Sequence, residues 1–333
     1  MAHRITMTDV AREAGVSLMT VSRVVNHKED VSPPTRQRVL DIVERLGYRP
    51  SSIARGLVTQ HTGTLGLVVP DIDNPFFSGI VRGAELEAYA EGYSVFLCNS
   101  NEGPERELAV LESLEEKQVD GVIVCSSRLE KKVLQSSLER FSAVVLVSRK
   151  LEDKRIGTVL IDDELGGRMA TQHLLQTGHR NIGVISGPSI SHSSRWRVKG
   201  YRKALESTSI SFNLDYIEHD SPTVECGFEI ARKLLTSHPE LTALFCHNDL
   251  VAVGALQACA RLNIRVPEDI AIVGFDDIPM AALVSPPLTT CRVPRYQLGA
   301  QAMRMLMENI AGPTSLTNEI LLRPELVVRA SAP

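Results

Sequence analysis

A short run of polar side chains near the start of the chain has the chemistry of a DNA-reading surface. Its members fall mostly on the outward side of one predicted helix: Thr20, Ser22, Arg23 and Asn26. An arginine at such a position can bind guanine through two hydrogen bonds, and serine or threonine hydroxyls can hold phosphates. These residue types at this spacing predict contact with the major groove of DNA.

Two short helices around a tight turn must position that surface. Thr6 or Thr8 can cap the first helix and Ser17 the second, while Gly15 supplies the backbone freedom that the turn needs. The inward positions are Val10, Ala11 and Ala14 in the first helix and Val21, Val24 and Val25 in the second. The pattern predicts a helix-turn-helix. A solvated helical hairpin that binds nothing is the alternative that these residues alone leave open.

A third helix and a linker follow. Ser32 caps this helix, a proline opens it and Gly47 ends it. Its predicted buried stripe is Val39, Ile42, Val43 and Leu46. Residues 1–48 are therefore expected to form one small helical domain. Residues 49–63 are expected to form a linker, in which residues 51–58 have weak helical character.

Charge is divided unevenly along the chain. The 333 residues carry a net charge of −4. Residues 1–60 hold 9 Lys and Arg against 6 Asp and Glu, a charge of +3, so the remainder, with 27 against 34, carries −7. The basic part coincides with the predicted DNA-binding helices, but +3 supplies few phosphate contacts. Two such domains in a dimer would bind much better, because the second contact becomes intramolecular.

From about residue 64 onward, short apolar strands alternate with amphipathic helices. The strands begin near Leu65, Ser94, Gly121, Val144, Thr158, Asn181, Ala243 and Ile270. This alternation predicts an α/β fold with parallel sheets that are covered by helices on both faces. More than 260 residues with about ten strands indicate two lobes.

Candidate ligand-binding side chains follow the first of these strands, at the place where open α/β sheets bind small molecules. Asp73 and Asn74 offer groups that bind hydroxyls. Phe76 and Phe77 offer a flat apolar surface for the CH face of a sugar ring. The alternative is that these phenylalanines are core residues of the next helix, and at least one is expected to be.

Four later positions fit the same kind of site. Arg149 ends a buried strand and needs an acceptor partner, and Asp276 ends another strand with a carboxylate that suits two ligand hydroxyls. Asn248 follows a strand and opens a helix, so capping that helix is its alternative role. Trp196 can either belong to the site or pack in the core.

Other classes of protein are disfavoured. The sequence has no GxSxG, P-loop, HExxH or strand-linked GxGxxG motif, which argues against an enzyme. No pair among the six cysteines has CxxC spacing, so free thiols are expected rather than disulfides or a metal site, and no cofactor is predicted. No apolar run suits a membrane span or a signal peptide. A cytoplasmic protein without membrane association is expected.

The segments together resemble one known family. TMTDVAREAGVSLMTVSRVVN and VSPPTRQRVLDIVERLGYRPSSIARGL are similar to the headpiece of the lactose/galactose-repressor family of bacterial transcription regulators. DIDNPFF, RWRVKGY, HNDLVAVGAL, VGFDDIPMA and PPLTT extend the resemblance over nearly the whole chain. Each motif alone is weak, but the headpiece and five further motifs in the family's order are a strong signal.

The resemblance implies a hinged, two-lobed body like that of periplasmic sugar-binding proteins, with residues 64–333 as the effector-binding and dimerisation domain. Three crossings, near residues 160, 292 and 323, divide it. Lobe 1 is then about residues 64–160 plus 293–322, and lobe 2 about residues 161–292 plus 323–333.

The resemblance also gives the linker a role. In the family, the segment matching residues 51–58 is a hinge helix that folds only on operator DNA and inserts a leucine into the minor groove. The matching residue is Leu57. We expect the hinge to be disordered without DNA, since Gly56 costs it roughly 1 kcal/mol of helix propensity. A plain linker with one stray leucine is the alternative.

Family positions complete the set of DNA-binding candidates. The first two residues of the recognition helix choose the half-site sequence in the family, and here they are Leu18 and Met19. Because both are apolar, we expect them to contact thymine methyls or sugar edges and expect Arg23 to read a base by hydrogen bonds. The predicted set is Thr6, Ser17, Leu18, Met19, Thr20, Ser22, Arg23, Asn26 and Leu57.

The resemblance also completes the set of effector-binding candidates. In the family, the positions that match Arg197 and Asn248 bind the ligand. The predicted set is Asp73, Asn74, Phe76, Phe77, Arg149, Arg197, Asn248 and Asp276, similar to the ribose-binding branch of these folds. Ser148 replaces an acid of some relatives, and Val293 replaces a polar residue. Two arginines with fewer acids favour an anionic effector, such as a sugar acid or sugar phosphate, over a neutral sugar.

The sequence thus predicts a dimeric, ligand-responsive repressor that binds a near-palindromic operator at the nucleoid. Relief of repression by ligand is favoured over corepression, which uses the same parts. No heptad repeat follows the last strand, so no tetramer-forming coiled coil is expected. The helix from Tyr296 to Ile310 is expected to be core and dimer surface. The rivals are a sugar-binding transport protein and a sugar-modifying enzyme that carries a regulatory head.

Overall fold

The computed structural model describes residues 5–26, 28, 30–48, 61–312 and 319–333. The chain divides into two compact units, Met1–Gly63 and Thr64–Pro333. The predicted hinge at residues 51–58, with Leu57, lies outside the described residues.

The first unit, here called the headpiece, has three helices in its described part. They are α1 (Met7–Ala14), α2 (Leu18–Val25) and α3 (Pro33–Leu46). Thr6 and Asp9 form a reciprocal capping box at the start of α1, and Ser17 accepts a hydrogen bond of 3.1 Å from the Thr20 N–H at the start of α2. Gly15 ends α1 with a φ of 62°, the left-handed backbone that the turn requires. The local signals in the sequence therefore place the helices correctly.

The headpiece has a small core shared by its three helices. Its buried members are Val10, Ala11, Ala14, Val21, Val24, Val39, Ile42 and Tyr48. Val25, Val43 and Leu46, which the sequence pattern places inward, are only partly buried. Seven of these side chains lie on the helices and Tyr48 follows α3, while the outer face of α2 contributes none of them.

The second unit contains two six-stranded sheets in its described residues. The first consists of β1 (Thr64–Val69), β2 (Ser94–Asn99), β3 (Gly121–Cys125), β4 (Val144–Val147), β5 (Ile156–Ile161) and β11 (Glu319–Leu322). The second consists of β6 (Ile182–Ser186), β7 (Ile217–His219), β8 (Ala243–Cys246), β9 (Ala271–Asp276), β10 (Thr289–Arg292) and β12 (Glu325–Val327). The strand orders are β11-β5-β4-β3-β1-β2 and β12-β10-β9-β8-β6-β7.

Helices lie between the strands in sequence. They are α4 (Pro75–Ala90), α5 (Pro104–Glu116), α6 (Lys131–Leu138), α7 (Asp163–Gln176), α8 (His192–Glu206), α9 (Val224–Ser237), α10 (Asp249–Arg261) and α11 (Arg295–Ala311). Short 3₁₀ turns occur at Leu214–Tyr216 and Pro279–Ala282. The predicted α/β class with parallel sheets is confirmed. We call the first sheet with its helices lobe 1 and the second sheet with its helices lobe 2.

The chain passes between the sheets three times. It leaves lobe 1 after β5, returns after β10, and enters lobe 2 again between β11 and β12. All described strand pairs are parallel except β10 with β12, which is antiparallel. The parallel strands of both sheets end at the cleft between the lobes. A strand that enters lobe 2 directly from that cleft therefore runs the opposite way.

Glycines allow pairs of helices to pack with their backbones in contact. A Cβ atom on Gly83 of α4 would lie 2.1 Å from the Tyr296 carbonyl oxygen, and one on Gly299 of α11 would lie 1.9 Å from the Ile80 carbonyl oxygen. The same arrangement joins α7 to α8 and α9 to α10. These pairs hold the helix ends, and with them the cleft loops, in fixed positions.

Within the described residues, no helix combines the length and the apolar character needed to cross a bilayer.

Candidate functional site

The start of α2 is exposed in the headpiece. Leu18 and Met19 are 51% and 67% exposed, so the two predicted base-contacting residues are accessible. The hydroxyls of Ser17 and Thr20 lie 2.9 Å apart beside them, while the Thr6 hydroxyl is engaged in the cap of α1. An apolar tip beside two hydroxyls is an arrangement that can meet thymine methyls and phosphates together.

Arg23, the predicted reader of a base, has an acidic neighbour. Its Nη1 lies 3.0 Å from Oδ2 of Asp30, and both side chains are about half exposed. One turn further along α2, the Asn26 amide donates to the Ser22 hydroxyl over 3.4 Å. These contacts are local and solvated, so the side chains can exchange them for contacts with DNA.

The second candidate site is a small cavity of about 30 Å³ between the two lobes. It contains six of the eight predicted effector-binding residues: Asn74, Phe76, Phe77, Arg197, Asn248 and Asp276. The other residues that line it are Glu102, Ser126, Arg128, Ser148, Ser193, Pro222 and His247. Side chains that are far apart in sequence meet here because the parallel strands of both lobes end at this cleft.

The wall that lobe 1 contributes begins at Asn74. Its Oδ1 accepts a 2.9 Å hydrogen bond from the Phe76 N–H and so caps α4. The rings of Phe76 and Phe77 pack edge to face, with centroids 5.1 Å apart. Both rings line the cavity and also belong to the hydrophobic core. Each phenylalanine is therefore both a cavity residue and a core residue.

The wall that lobe 2 contributes is organised around Arg197. Its Nε donates to Oδ1 of Asp163 over 2.8 Å, and its guanidinium carbon lies 3.6 Å from the centroid of the Phe275 ring. It also donates to the His247 carbonyl, and its Nη2 lies 3.9 Å from Oδ1 of Asp276. A buried guanidinium with this many partners is fixed in position.

Asp276 is one of two groups with unused hydrogen-bonding capacity at this wall, the other being His247, whose Nδ1 has no partner among the described residues. Burial raises the pKa of the Asp276 carboxyl well above the ordinary value, and the Arg197 guanidinium opposes that shift. Oδ1 of Asp276 has no hydrogen-bond partner among the described residues, and neither has the Ser148 hydroxyl on the facing wall. Both atoms line a cavity in which a ligand hydroxyl could satisfy them.

Asn248 has both of the roles considered for it. Its Oδ1 accepts a 2.9 Å hydrogen bond from the Val251 N–H and caps α10, and its side chain lines the cavity. Its amide nitrogen lies 3.4 Å from the Pro222 carbonyl oxygen. A capping asparagine is held at one end and still presents its amide to the cleft.

Arg128 is a cavity residue that the sequence reasoning missed. It is 7% exposed, its Nη2 lies 3.0 Å from Oε1 of Glu102, and its Nη1 donates to the Ser126 carbonyl over 2.9 Å. Its backbone N–H donates to the buried Glu107 carboxylate over 2.8 Å. Glu102 and Arg128 follow β2 and β3, so the rule that selects loops after parallel strands would have found both.

Two predicted effector residues do not line this cavity. Asp73 is exposed in the turn before α4. Arg149 is buried, but its Nη1 and Nη2 donate to the carbonyls of Ile190 and Leu129, at 3.2 and 3.1 Å. The expectation of an anionic effector assumed that Arg149 and Arg197 both face the ligand, and this assumption is wrong. Trp196 is 37% exposed on α8 and belongs neither to the core nor to the cavity lining.

Comparison with known proteins identifies the two units. Residues 62–325 match the family model described as periplasmic binding proteins and sugar binding domain of LacI family, and residues 6–51 match that of bacterial regulatory proteins, lacI family. The chain belongs to the LacI family. It is therefore a DNA-binding transcriptional repressor with a ligand-binding domain.

Relatives within the LacI family align over nearly the full length. The HTH-type transcriptional repressor PurR of Haemophilus influenzae (strain PittEE) is 37% identical over 333 residues, which covers 98% of each chain. The solved lac repressor dimer bound to operator and the anti-inducer ONPF has a TM-score of 0.86 at 28% identity, over 99% of each chain. The complex of the transcriptional regulator CelR with cellobiose has a TM-score of 0.75 at 32% identity and covers 98% of this chain and 100% of its own. These relatives are regulators and not enzymes.

Proposed function

We propose that this LacI-family repressor binds a near-palindromic operator as a homodimer, in the cytoplasm at the nucleoid, and that a neutral hydroxylated molecule in the cleft controls its affinity for DNA. The observation that carries the proposal is the cavity in which a phenylalanine pair faces Asp276, a carboxylate with an unused acceptor. Aromatic rings and hydroxyl acceptors are the two kinds of group that bind a sugar.

The proposed DNA-contacting surface is the exposed start of α2 together with Leu57. Exposed Leu18 and Met19 would meet apolar edges of bases, and Arg23 would read a base after leaving Asp30. Thr6, Ser17, Thr20, Ser22 and Asn26 would hold phosphates and fix the register. The solved lac repressor is bound to operator DNA, which supports the same use of this headpiece.

The proposed homodimer surface is apolar. Leu86 and Tyr89 of α4 are 43% and 75% exposed, and Leu97 on the edge strand β2 is 46% exposed. Leu97 is in register with Leu67, whose side chain packs in the same core as α4, so these residues lie on one side of the sheet. Exposed leucines beside an open strand edge favour coverage by another chain, and the lac repressor in the operator complex is a dimer.

The proposed effector is neutral because the charges around the cavity are already matched. Arg128 faces Glu102, and Arg197 faces Asp163 and Asp276, so neither guanidinium needs an anionic ligand. Buried ions with partners leave a site that favours uncharged hydroxyls. The complex of CelR with cellobiose supports a sugar in this cleft.

The proposed control uses the relative position of the lobes, taken as residues 64–160 plus 293–322 and residues 161–292 plus 323–333. A cavity of about 30 Å³ is far smaller than the roughly 300–1,000 Å³ of an ordinary ligand pocket, so a sugar can enter only if the walls part. A ligand that favours one separation of the walls shifts the equilibrium between two arrangements by its difference in affinity, typically about 1–3 kcal/mol. We propose that the separated arrangement releases the operator.

Two measurements test this function. Thermal shifts of the full chain with ribose, cellobiose, gluconate, ribose 5-phosphate and a purine base identify the effector class, and we expect a neutral sugar to raise the melting temperature. Stabilisation by the acid or the phosphate alone would contradict a neutral effector. Selection from a randomised DNA duplex library should enrich inverted half-sites, and sequences without such symmetry would contradict a dimeric reader. A compound that raises the melting temperature is then added to the protein with the selected duplex, and we expect it to weaken DNA binding.

A further inference from the structure

Arg295 joins the two lobes next to the cavity. It is the first residue of α11, where the chain has returned from lobe 2 to lobe 1. Its Nη1 donates to the Pro75 carbonyl in lobe 1 over 3.1 Å, and its Nη2 donates to the Asp277 carbonyl in lobe 2 over 3.2 Å. One planar guanidinium thus binds a carbonyl of each lobe, which is a geometry that a lysine cannot reproduce.

The two carbonyls belong to the residues that carry the cavity walls. Pro75 stands between Asn74 and Phe76, and Asp277 directly follows Asp276. A movement that separates Pro75 from Asp277 must break at least one of the two hydrogen bonds. The side chain therefore opposes the same movement that entry of a sugar-sized molecule requires.

The surroundings of Arg295 hold it in this position. A Cβ atom on Gly79 would lie only 3.0 Å from Cβ of Arg295, so the absence of a side chain at Gly79 leaves room for the arginine stem. The carboxylate of Asp277 binds Arg292 and Arg329, each over 2.7 Å, and this fixes the loop whose carbonyl Arg295 uses. The positive charge of Arg295 also works against the burial-induced rise in the pKa of Asp276.

We propose that Arg295 is a positioning residue that holds the two walls of the effector cavity together and restrains the opening through which a ligand enters. The inference rests on the proposed function, since it takes this cleft as the effector site. Arg304 on the same helix provides a contrast. Its guanidinium binds Glu87 of α4 through two hydrogen bonds, at 2.9 and 2.6 Å, and so joins two helices within one lobe.

Reactivity of a thiol placed inside the cavity measures the opening without any effector. Ser148 lines the cavity, is 4% exposed and has a hydroxyl without a hydrogen-bond partner among the described residues, so Ser148→Cys breaks no such bond. The full chain with this change is treated with iodoacetamide and digested with trypsin. Residues 141–149 form a tryptic peptide with no other cysteine, which isolates the signal.

In this background we expect Arg295→Met to speed alkylation at position 148 about tenfold, the change that about 1.4 kcal/mol of lost restraint produces. Arg295→Lys should give an intermediate rate, because one ammonium reaches one carbonyl well. Arg304→Met should leave the rate unchanged. The buried Cys125 and Cys291, one in each lobe, report general loosening of the fold, and their rates should stay constant.

Two results would overturn the proposal. Equal rates at position 148 in the Arg295→Met and unchanged chains would mean that the contact restrains nothing. Rates that rise together at position 148, Cys125 and Cys291 would mean that Arg295 only stabilises the fold. An effector panel in which nothing binds would contradict the proposed function, and it would leave these rates unaffected.

Discussion

The ion pairs of the headpiece and those of the cleft differ most in burial. Arg23 is 52% exposed and faces Asp30 across solvent, whereas Arg197 is 6% exposed and faces Asp163, which is 1% exposed. An exposed pair contributes about 0–1 kcal/mol to stability. A buried pair that loses one partner costs about 3–5 kcal/mol, because an uncompensated charge remains inside the protein.

This difference suits the two sites to different tasks. The side chains of α2 make weak local contacts, so DNA phosphates and bases can replace these contacts at little cost. The side chains of the cleft are fixed before any ligand arrives, which lowers the entropy lost when a ligand binds. Changes in the cleft should therefore act on the stability of the body, and changes in α2 should act on DNA binding or on the headpiece alone.

The largest effect is expected from Arg197→Met. It leaves the buried carboxylates of Asp163 and Asp276 without their cation, and the free energy of unfolding of the body should fall by about 3–5 kcal/mol. Urea unfolding followed by the fluorescence of Trp196 measures this, since Trp196 is the only tryptophan of the chain. Arg202→Met, on the exposed side of the same helix with Glu206 as its partner, should change stability by less than about 0.5 kcal/mol. Equal losses of unfolding free energy in the two variants would contradict the difference between buried and exposed ion pairs.

A pH dependence of the body should follow from Asp249. Burial raises the pKa of its carboxyl from 3.8 to about 7 in the folded chain. Because the folded form holds the proton more tightly than the unfolded form, this group makes the free energy of unfolding fall as pH rises from about 4 to about 7. The change across that window should be on the order of a few kcal/mol.

Asp249→Asn should remove the Asp249 share of the slope, while Asp276, whose carboxyl pKa burial also raises, keeps its own share. An asparagine can still accept the hydrogen bond from the Ile278 N–H, while its amide donates to the Thr290 hydroxyl. Unfolding in urea at several pH values measures the slope, and Asp215→Asn at an exposed position is the control. A slope that is as steep in the Asp249→Asn chain as in the unchanged chain would assign the whole effect to other carboxyls.

Local signals made most of the fold predictable. Caps and glycines located α1, α2 and α3, and apolar runs located eight of the strands to within two residues. The runs at β7, β10, β11 and β12 are only three or four residues long and carry polar residues such as Thr289, Arg292 and Glu325. Their strand character comes from pairing with neighbouring strands, at a sheet edge for β7, β11 and β12 and between β9 and β12 for β10, which a local pattern does not record.

The candidate site was less predictable, for a reason that Arg149 and Arg128 illustrate. Both arginines follow strands of lobe 1, two residues or fewer beyond turns at Ser148 and Ser126, where φ is 54° and 47°. The direction of a side chain after such a turn depends on the tertiary partners available to it. Arg128 finds Glu102 and stays in the cavity, whereas Arg149 finds the carbonyls of Leu129 and Ile190.

A smaller effect, confined to the headpiece, is expected from Ser17→Ala. The hydroxyl accepts the Thr20 N–H at the start of α2, and its loss should cost about 1 kcal/mol of helix stability. Amide exchange of residues 18–26 should speed up about fivefold, while the Trp196 unfolding transition should not move. Ser32→Ala is the matched control, because Ser32 caps α3 without a side-chain hydrogen bond to the backbone. If exchange speeds up as much in α3 of the Ser32→Ala chain as in α2 of the Ser17→Ala chain, the result would contradict a role for the Ser17 hydrogen bond.

The smallest effect should come from Asp30→Asn. Asp30 holds Arg23 in the free headpiece, and removing its charge should release the arginine for DNA at a gain of about 0.2–1 kcal/mol, up to roughly fivefold in affinity. Titration of the duplex chosen by selection, at fixed salt, measures this. Asp41→Asn makes the same change in net charge on α3, where Asp41 binds Gln37, and should raise affinity less. If both variants gain equally, the general charge of the headpiece accounts for the effect. If only Asp30→Asn gains affinity, Asp30 competes with DNA for Arg23. The buried ion pairs of the cleft do not compete with the ligand in this way.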